Sequence, residues 1–154
     1  MPKLKNKDLI SVHELSKEEI QMILNLAKFL KGCAKKGQTP KLLKGKTLAM
    51  IFNKPSNRTR VSFEVGMWQL GGLAINLDAA GLRFGVGESI PDIARTLSRY
   101  VDGIVLRTFN HEDLKQLARN ASISSAKVSR RSAVISSAAS SGVSPPLRCE
   151  RVAF

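Results

Sequence analysis

Three short strand-like runs, each followed by a stretch that reads as a helix, constrain this chain more than any other feature. The first, residues 47–52 (Thr-Leu-Ala-Met-Ile-Phe), is continuous rather than alternating, as in a strand buried on both faces of a parallel sheet. A turn at Asn53-Lys-Pro-Ser follows. The spacing then predicts a helix over 58–70, with Val61, Val65 and Trp68 along one face and Gly71-Gly72 as its stop. Residues 73–77 form the second run. The helix predicted over 91–100 has Pro91 in its first turn, where a missing N–H costs nothing, and sends Ile93, Ala94, Leu97 and Tyr100 toward the core. The third run, 103–109, leads into a helix over 112–119. Strand and helix repeated three times imply an α/β fold, a parallel sheet flanked by helices and closed by right-handed crossovers.

A further helix is predicted ahead of the first run, over 17–31. Ser16 and Glu19 form a capping box, and Ile20, Ile23, Leu24, Ala27 and Leu30 recur at helical spacing as a stripe for core packing. Gly32 is its expected stop, and Gly37 and Pro40 mark a loop. Past residue 122 this grammar disappears. Residues 123–154 are rich in serine, basic and interrupted by Pro145-Pro146, and such a segment cannot bury enough apolar surface to offset its ordering entropy. The expected division is a folded unit over 1–122 and a disordered tail over 123–154. The abruptness of the change is that of a shifted reading frame.

Composition excludes several classes. Apolar residues make up 43% of 154, enough for one domain with a core, and no apolar run approaches the ~18 residues of a membrane span. The N-terminus has lysines without an apolar stretch behind them, so no secretory signal is expected and the cytoplasm is the expected location. Cys33 and Cys149 stand in no metal or redox spacing and read as free thiols; His13 and His111 stand alone, and no metal site is expected. The formal charge is +13, of which +4 lies in residues 122–154. Such an excess suits an anionic partner. Aromatics are only 5% and do not interleave with the basic residues, which disfavours a nucleic-acid stacking platform.

The segment that carries chemistry is Pro55-Ser-Asn-Arg-Thr-Arg60, between a buried strand and a helix start. Ligands of open parallel sheets bind beyond the carboxyl ends of strands, and a helix N-terminus offers free N–H groups and positive potential. Ser56 and Thr59 add hydroxyl donors, and Arg58 adds a planar fork for phosphate oxygens. The segment is no Walker loop, since Gly-Lys-Ser/Thr is missing. Read from physics alone, it is equally a capped helix with exposed arginines. Arg107, near the end of the third run, is expected at the same sheet edge, against the alternative of a solvent-facing strand end. Arg83, in the Gly-containing loop over 78–88, is a third cation for the site. Gly85-Val-Gly87 reads as a flexible loop.

The run Phe52-Asn-Lys-Pro-Ser-Asn-Arg-Thr-Arg-Val-Ser-Phe-Glu-Val-Gly-Met-Trp-Gln-Leu-Gly-Gly72 resembles the carbamoyl phosphate motif of the aspartate and ornithine carbamoyltransferases. A second block, from Gly87-Glu-Ser-Ile-Pro to Val-Leu-Arg107-Thr-Phe109, is similar to the family's next motif, and the resemblance spans about residues 8–122. Arg60-Val-Ser-Phe-Glu-Val-Gly-Met and Arg107-Thr-Phe-Asn-His-Glu favour the ornithine branch. The resemblance implies that Ser56, Asn57, Arg58, Thr59 and Arg107 bind carbamoyl phosphate, with Arg58 and Arg107 catalytic. Asn57 stands where the family usually has Thr, and Arg83 where ornithine enzymes usually carry a Gln reaching a neighbouring subunit's site. It further implies transfer of a carbamoyl group to L-ornithine, giving citrulline and phosphate in arginine metabolism. It implies as well that no metal or organic cofactor, nucleic acid or membrane is involved and that the assembly is a homotrimer. The family's His-Pro-x-Gln motif and ornithine-binding half have no match here, so an incomplete domain, inactive alone, is expected. The alternatives are an aspartate carbamoyltransferase and a non-catalytic, anion-binding truncated product.

Overall fold

The computed structural model describes residues 8–82 and 87–127. In chain order these form a 3-10 turn Val12–Glu14, then α1 (Lys17–Lys35), β1 (Thr47–Phe52), α2 (Asn57–Gln69), β2 (Leu73–Asp78), α3 (Ile90–Leu97), β3 (Gly103–Arg107), α4 (His111–Asn120) and β4 (Ser124–Lys127). The strands make one parallel sheet in the order β2-β1-β3-β4. The α/β architecture with flanking helices is the one the apolar runs imply.

Alternation along the strands assigns the two faces. Ala49 and Ile51 of β1 and Ile104 and Leu106 of β3 turn to one side, where they pack with Ile93 and Ala94 of α3 and Leu114 and Leu117 of α4. Leu48, Met50 and Val105 turn to the other, onto Phe63 and Met67 of α2, Leu43 and Leu70. Gly72 lets α2 turn tightly into β2: a Cβ there would lie 2.6 Å from Met67 Cε and 2.9 Å from the Lys46 carbonyl. At the opposite end from the turn after β1, Asp102 accepts from Lys46 Nζ at 2.7 Å and from the Thr47 N–H at 2.8 Å, tying the start of β3 to the start of β1.

Several expectations are corrected. The α2 face toward the sheet is Phe63 and Met67, while Val61, Val65 and Trp68 are exposed. Both sets have helical spacing, and the connection through Gly71-Gly72 fixes which one meets the sheet. The α1 stripe reaches the core only at Leu30, half-buried against the Phe63–Met67 cluster; Ile20 and Ile23 are half-buried, and Leu24 and Ala27 are exposed. Gly32 does not stop α1, which runs on to Lys35 and places Cys33 in the interior. Cys33 is disulfide-bonded rather than a free thiol. Tyr100 lies beyond α3 and is 78% exposed.

The expected boundary at 122 is also passed, because β4 uses Ser124–Lys127. Main-chain pairing with β3 needs no apolar side chains, and the N-terminal segment supports the new edge. Asp8 Oδ1 accepts from the Ser125 N–H at 2.8 Å and its hydroxyl at 3.0 Å, and the Leu9 N–H donates to the Ser125 carbonyl at 2.9 Å. The rest of the tail, Cys149 and Arg83 lie outside the described residues.

Candidate functional site: the carboxyl edge between β1 and β3

β1 feeds α2 and then β2 on one side, while β3 feeds α4 and then β4 on the other. The strand order therefore reverses between β1 and β3. A crevice at the carboxyl ends of such a pair is where open α/β sheets take ligands. Both segments singled out in the sequence end there. In the parallel register Phe52 pairs with Arg107, and the Asn53 N–H donates to the Arg107 carbonyl at 2.8 Å.

On the β1 side, Ser56 is the N-cap of α2. Its carbonyl accepts from the Arg60 N–H at 3.0 Å to start the helix, but its side chain makes no capping bond. The leading N–H groups of the helix, at Asn57, Arg58 and Thr59, have no intrahelical acceptor. Asn57 and Arg58 are exposed, and Ser56 and Thr59 half-buried. The first turn contains no acidic residue. Neither does the whole stretch 20–63, which carries ten Lys and Arg. The positive helix end is thus reinforced rather than neutralised.

On the β3 side, Arg107 is the half-buried last residue of its strand. The turn behind it is well fixed. Thr108 is buried and its hydroxyl donates to Asp113 at 2.6 Å, and Asn110 caps α4 by accepting the Glu112 N–H at 3.1 Å. Lys54 Nζ sits 4.0 Å from the centre of the Phe109 ring, a cation–π contact between the two loops that sequence reading missed. Nothing in the spacing of 54 and 109 signals it; it follows from the register of β1 with β3. Ser56, Asn57, Arg58, Thr59 and Arg107 therefore share one sheet edge. Among the described residues no group of three His, Cys, Asp or Glu could hold a metal ion, and no helix is long and apolar enough to cross a membrane.

Residues 7–144 match the family model of the aspartate/ornithine carbamoyltransferase, carbamoyl-P binding domain. The chain belongs to this family. An ornithine carbamoyltransferase of Anoxybacillus flavithermus is 55% identical over 120 residues, covering 78% of this chain and 38% of the relative; one from Pyrococcus abyssi is 53% identical with the same coverage. Among solved structures, the Pyrococcus furiosus ornithine carbamoyltransferase superposes with a TM-score of 0.78 at 48% identity, over 82% of this chain and 41% of that one. The M. jannaschii aspartate transcarbamoylase catalytic subunit gives a TM-score of 0.71 at 36% identity, over 79% of this chain and 40% of that one. The chain thus spans about two-fifths of the carbamoyltransferases it matches.

Proposed function

We propose that the crevice between β1 and β3 binds carbamoyl phosphate, and that the enzyme to which this domain corresponds transfers the carbamoyl group to the δ-amine of L-ornithine. The observation that carries this reading is the register: Phe52 pairs with Arg107, so the α2 N-terminus and the β3 arginine flank one crevice. The N–H groups of the first α2 turn, with Ser56, Asn57 and Thr59, take the phosphate oxygens. Arg58 and Arg107 balance the charge on the phosphate and on the carbamoyl oxygen as it develops. In the reaction the amine nitrogen attacks the carbamoyl carbon, the bond from that carbon to the phosphate oxygen breaks, and the amine gives up a proton. The products are citrulline and phosphate. Fixed cations and positioning supply the catalysis. In this reading Arg83 is a further cation for the site. The setting is arginine metabolism in the cytoplasm, and the assembly is the family's homotrimer.

Aspartate as acceptor is the second reading, supported by the M. jannaschii likeness at 36% identity; the 55% and 48% identities to the A. flavithermus and P. furiosus ornithine enzymes favour ornithine. The 154-residue chain contains histidine only at 13 and 111 and no His-Pro-x-Gln motif to hold the carbamoyl group. It binds the phosphate end and does not turn over alone. Two assays test this. Carbamoyl phosphate should raise the Tm of the chain; Arg107→Ala, at a half-buried arginine, should weaken binding by about 2–5 kcal/mol, the cost of truncating one partner of a desolvated charge pair, and Arg58→Ala, at an exposed one, by less. With ornithine added, no citrulline should form. An unchanged affinity in either variant removes that arginine from the site, and turnover near that of a full-length relative refutes the half-site reading.

A further inference from the structure

The crevice depends on two loops keeping their spacing. Near the strands they are joined by the Asn53 N–H and the Arg107 carbonyl, which fixes only their roots. Farther out, Lys54 lies over Phe109. The β3-side loop is braced by the Thr108–Asp113 and Asn110–Glu112 hydrogen bonds. The β1-side loop ends at Ser56, whose side chain makes no capping bond, so it has less to hold it. Phe109 is 72% exposed, so burial does not account for the position of the ring. A cation 4.0 Å from its centre, well inside the ~6 Å range of a cation–π contact, does.

We infer that Lys54 and Phe109 are positioning residues: their contact clips the 53–56 loop to the turn after β3 and sets the α2 N-terminus against Arg107. This rests on the carbamoyl phosphate reading for its purpose but not for its existence. A rival explanation is that Lys54 merely adds one more positive charge for the anion. That rival gives Phe109 no role, whereas the clip requires both partners.

The test uses the 154-residue chain and two readouts. Without ligand, hydrogen exchange at the Asn53 amide should accelerate about two- to five-fold in Lys54→Met and in Phe109→Leu, as expected for an exposed contact of this kind. Lys54→Arg and Phe109→Tyr, which keep a cation over a ring, should retain slow exchange. With carbamoyl phosphate, calorimetry should show Phe109→Leu weakening affinity about two- to five-fold although no charge is removed. In a Lys54→Met background the same change should add nothing. Unchanged exchange in Phe109→Leu, or equal losses of affinity in both backgrounds, overturns the clip. Should the wild-type chain not bind carbamoyl phosphate, the functional reading falls, while Asn53 exchange still decides the clip.

Discussion

On the α3–α4 face of the sheet, Ile93, Ala94, Leu114 and Leu117 meet Ala49, Ile51, Ile104 and Leu106, and every one of these side chains is sealed from water. On the α1–α2 face, Phe63 and Met67 are sealed against Leu48 and Met50, but the outer stripe of α2 is open, with Trp68 73% exposed. α1 is looser still, burying only Glu19 and Cys33. The difference teaches that helical periodicity reveals an apolar stripe without naming what covers it. α3 and α4 each have a single stripe and spend it on the sheet. α2 has two, and the sheet takes one.

The largest expected effects would break this comparison if they came out equal. Leu114→Ala should lower the unfolding free energy by about 2–5 kcal/mol, the range for emptying a sealed leucine site. Val65→Ala, on the open stripe, should stay within about 0.5 kcal/mol. Urea titrations with a common slope measure both, and similar losses would mean that the two faces close alike. A smaller contrast sharpens the picture within the α1–α2 face. At Gly72 a methyl group meets two backbone carbonyls, those of Lys46 and Leu43, at 2.9 and 3.0 Å, which cannot yield cheaply. Gly72→Ala should cost about 1–3 kcal/mol. At Gly32, inside α1, a Cβ meets nothing within 4 Å, so Gly32→Ala should stabilise by about 0.5–1 kcal/mol through helix propensity alone. Thermal melts of the two variants should shift in opposite directions.

A further small effect belongs to neither face. The hydrogen bond from Lys46, aided by the Thr47 N–H and the Lys46 charge, holds the Asp102 carboxyl below its usual range despite the opposing effect of burial. A lowered folded-state pKa means that the stabilisation is fully present above the ordinary carboxylate pKa and is lost as pH falls through the lowered one. Both side chains are at least a third exposed, so the pair is worth only about 0.2–1 kcal/mol. Asp102→Asn should remove that much at neutral pH, and the wild-type advantage should vanish in acid. An advantage that grows with acidity would contradict the assignment.

β1 and β3 were legible because buried strands of a parallel sheet are continuously apolar, as 48–52 and 104–106 are, whereas the largely exposed β2 was read from its place straight after Gly71-Gly72. β4 was not legible: Ser124-Ser-Ala-Lys127 has no apolar signal, and its place depends on main-chain pairing and on Asp8, 117 residues away from Ser125. The α2 face was misread because Val61, Val65 and Trp68 have the same period as Phe63, Met67 and Leu70. At the candidate site, the position of Ser56, Arg58 and Thr59 at a helix start could be read locally, as could Arg107 at a strand end. That these share a crevice follows from strand order, and the Lys54–Phe109 contact from strand register; neither is written in any local pattern.

The strand order has a consequence during synthesis. β1 lies between β2 and β3 in space but precedes both in the chain. At a translation speed of about 5–20 residues per second, the ~50 residues from the end of β1 to the start of β3 take roughly 3–10 s to emerge. Through that interval the newborn Leu48-Ala-Met-Ile51 run has at most one of its two eventual neighbours. A continuously apolar strand therefore waits with one edge unpaired until the chain as far as β3 has been made.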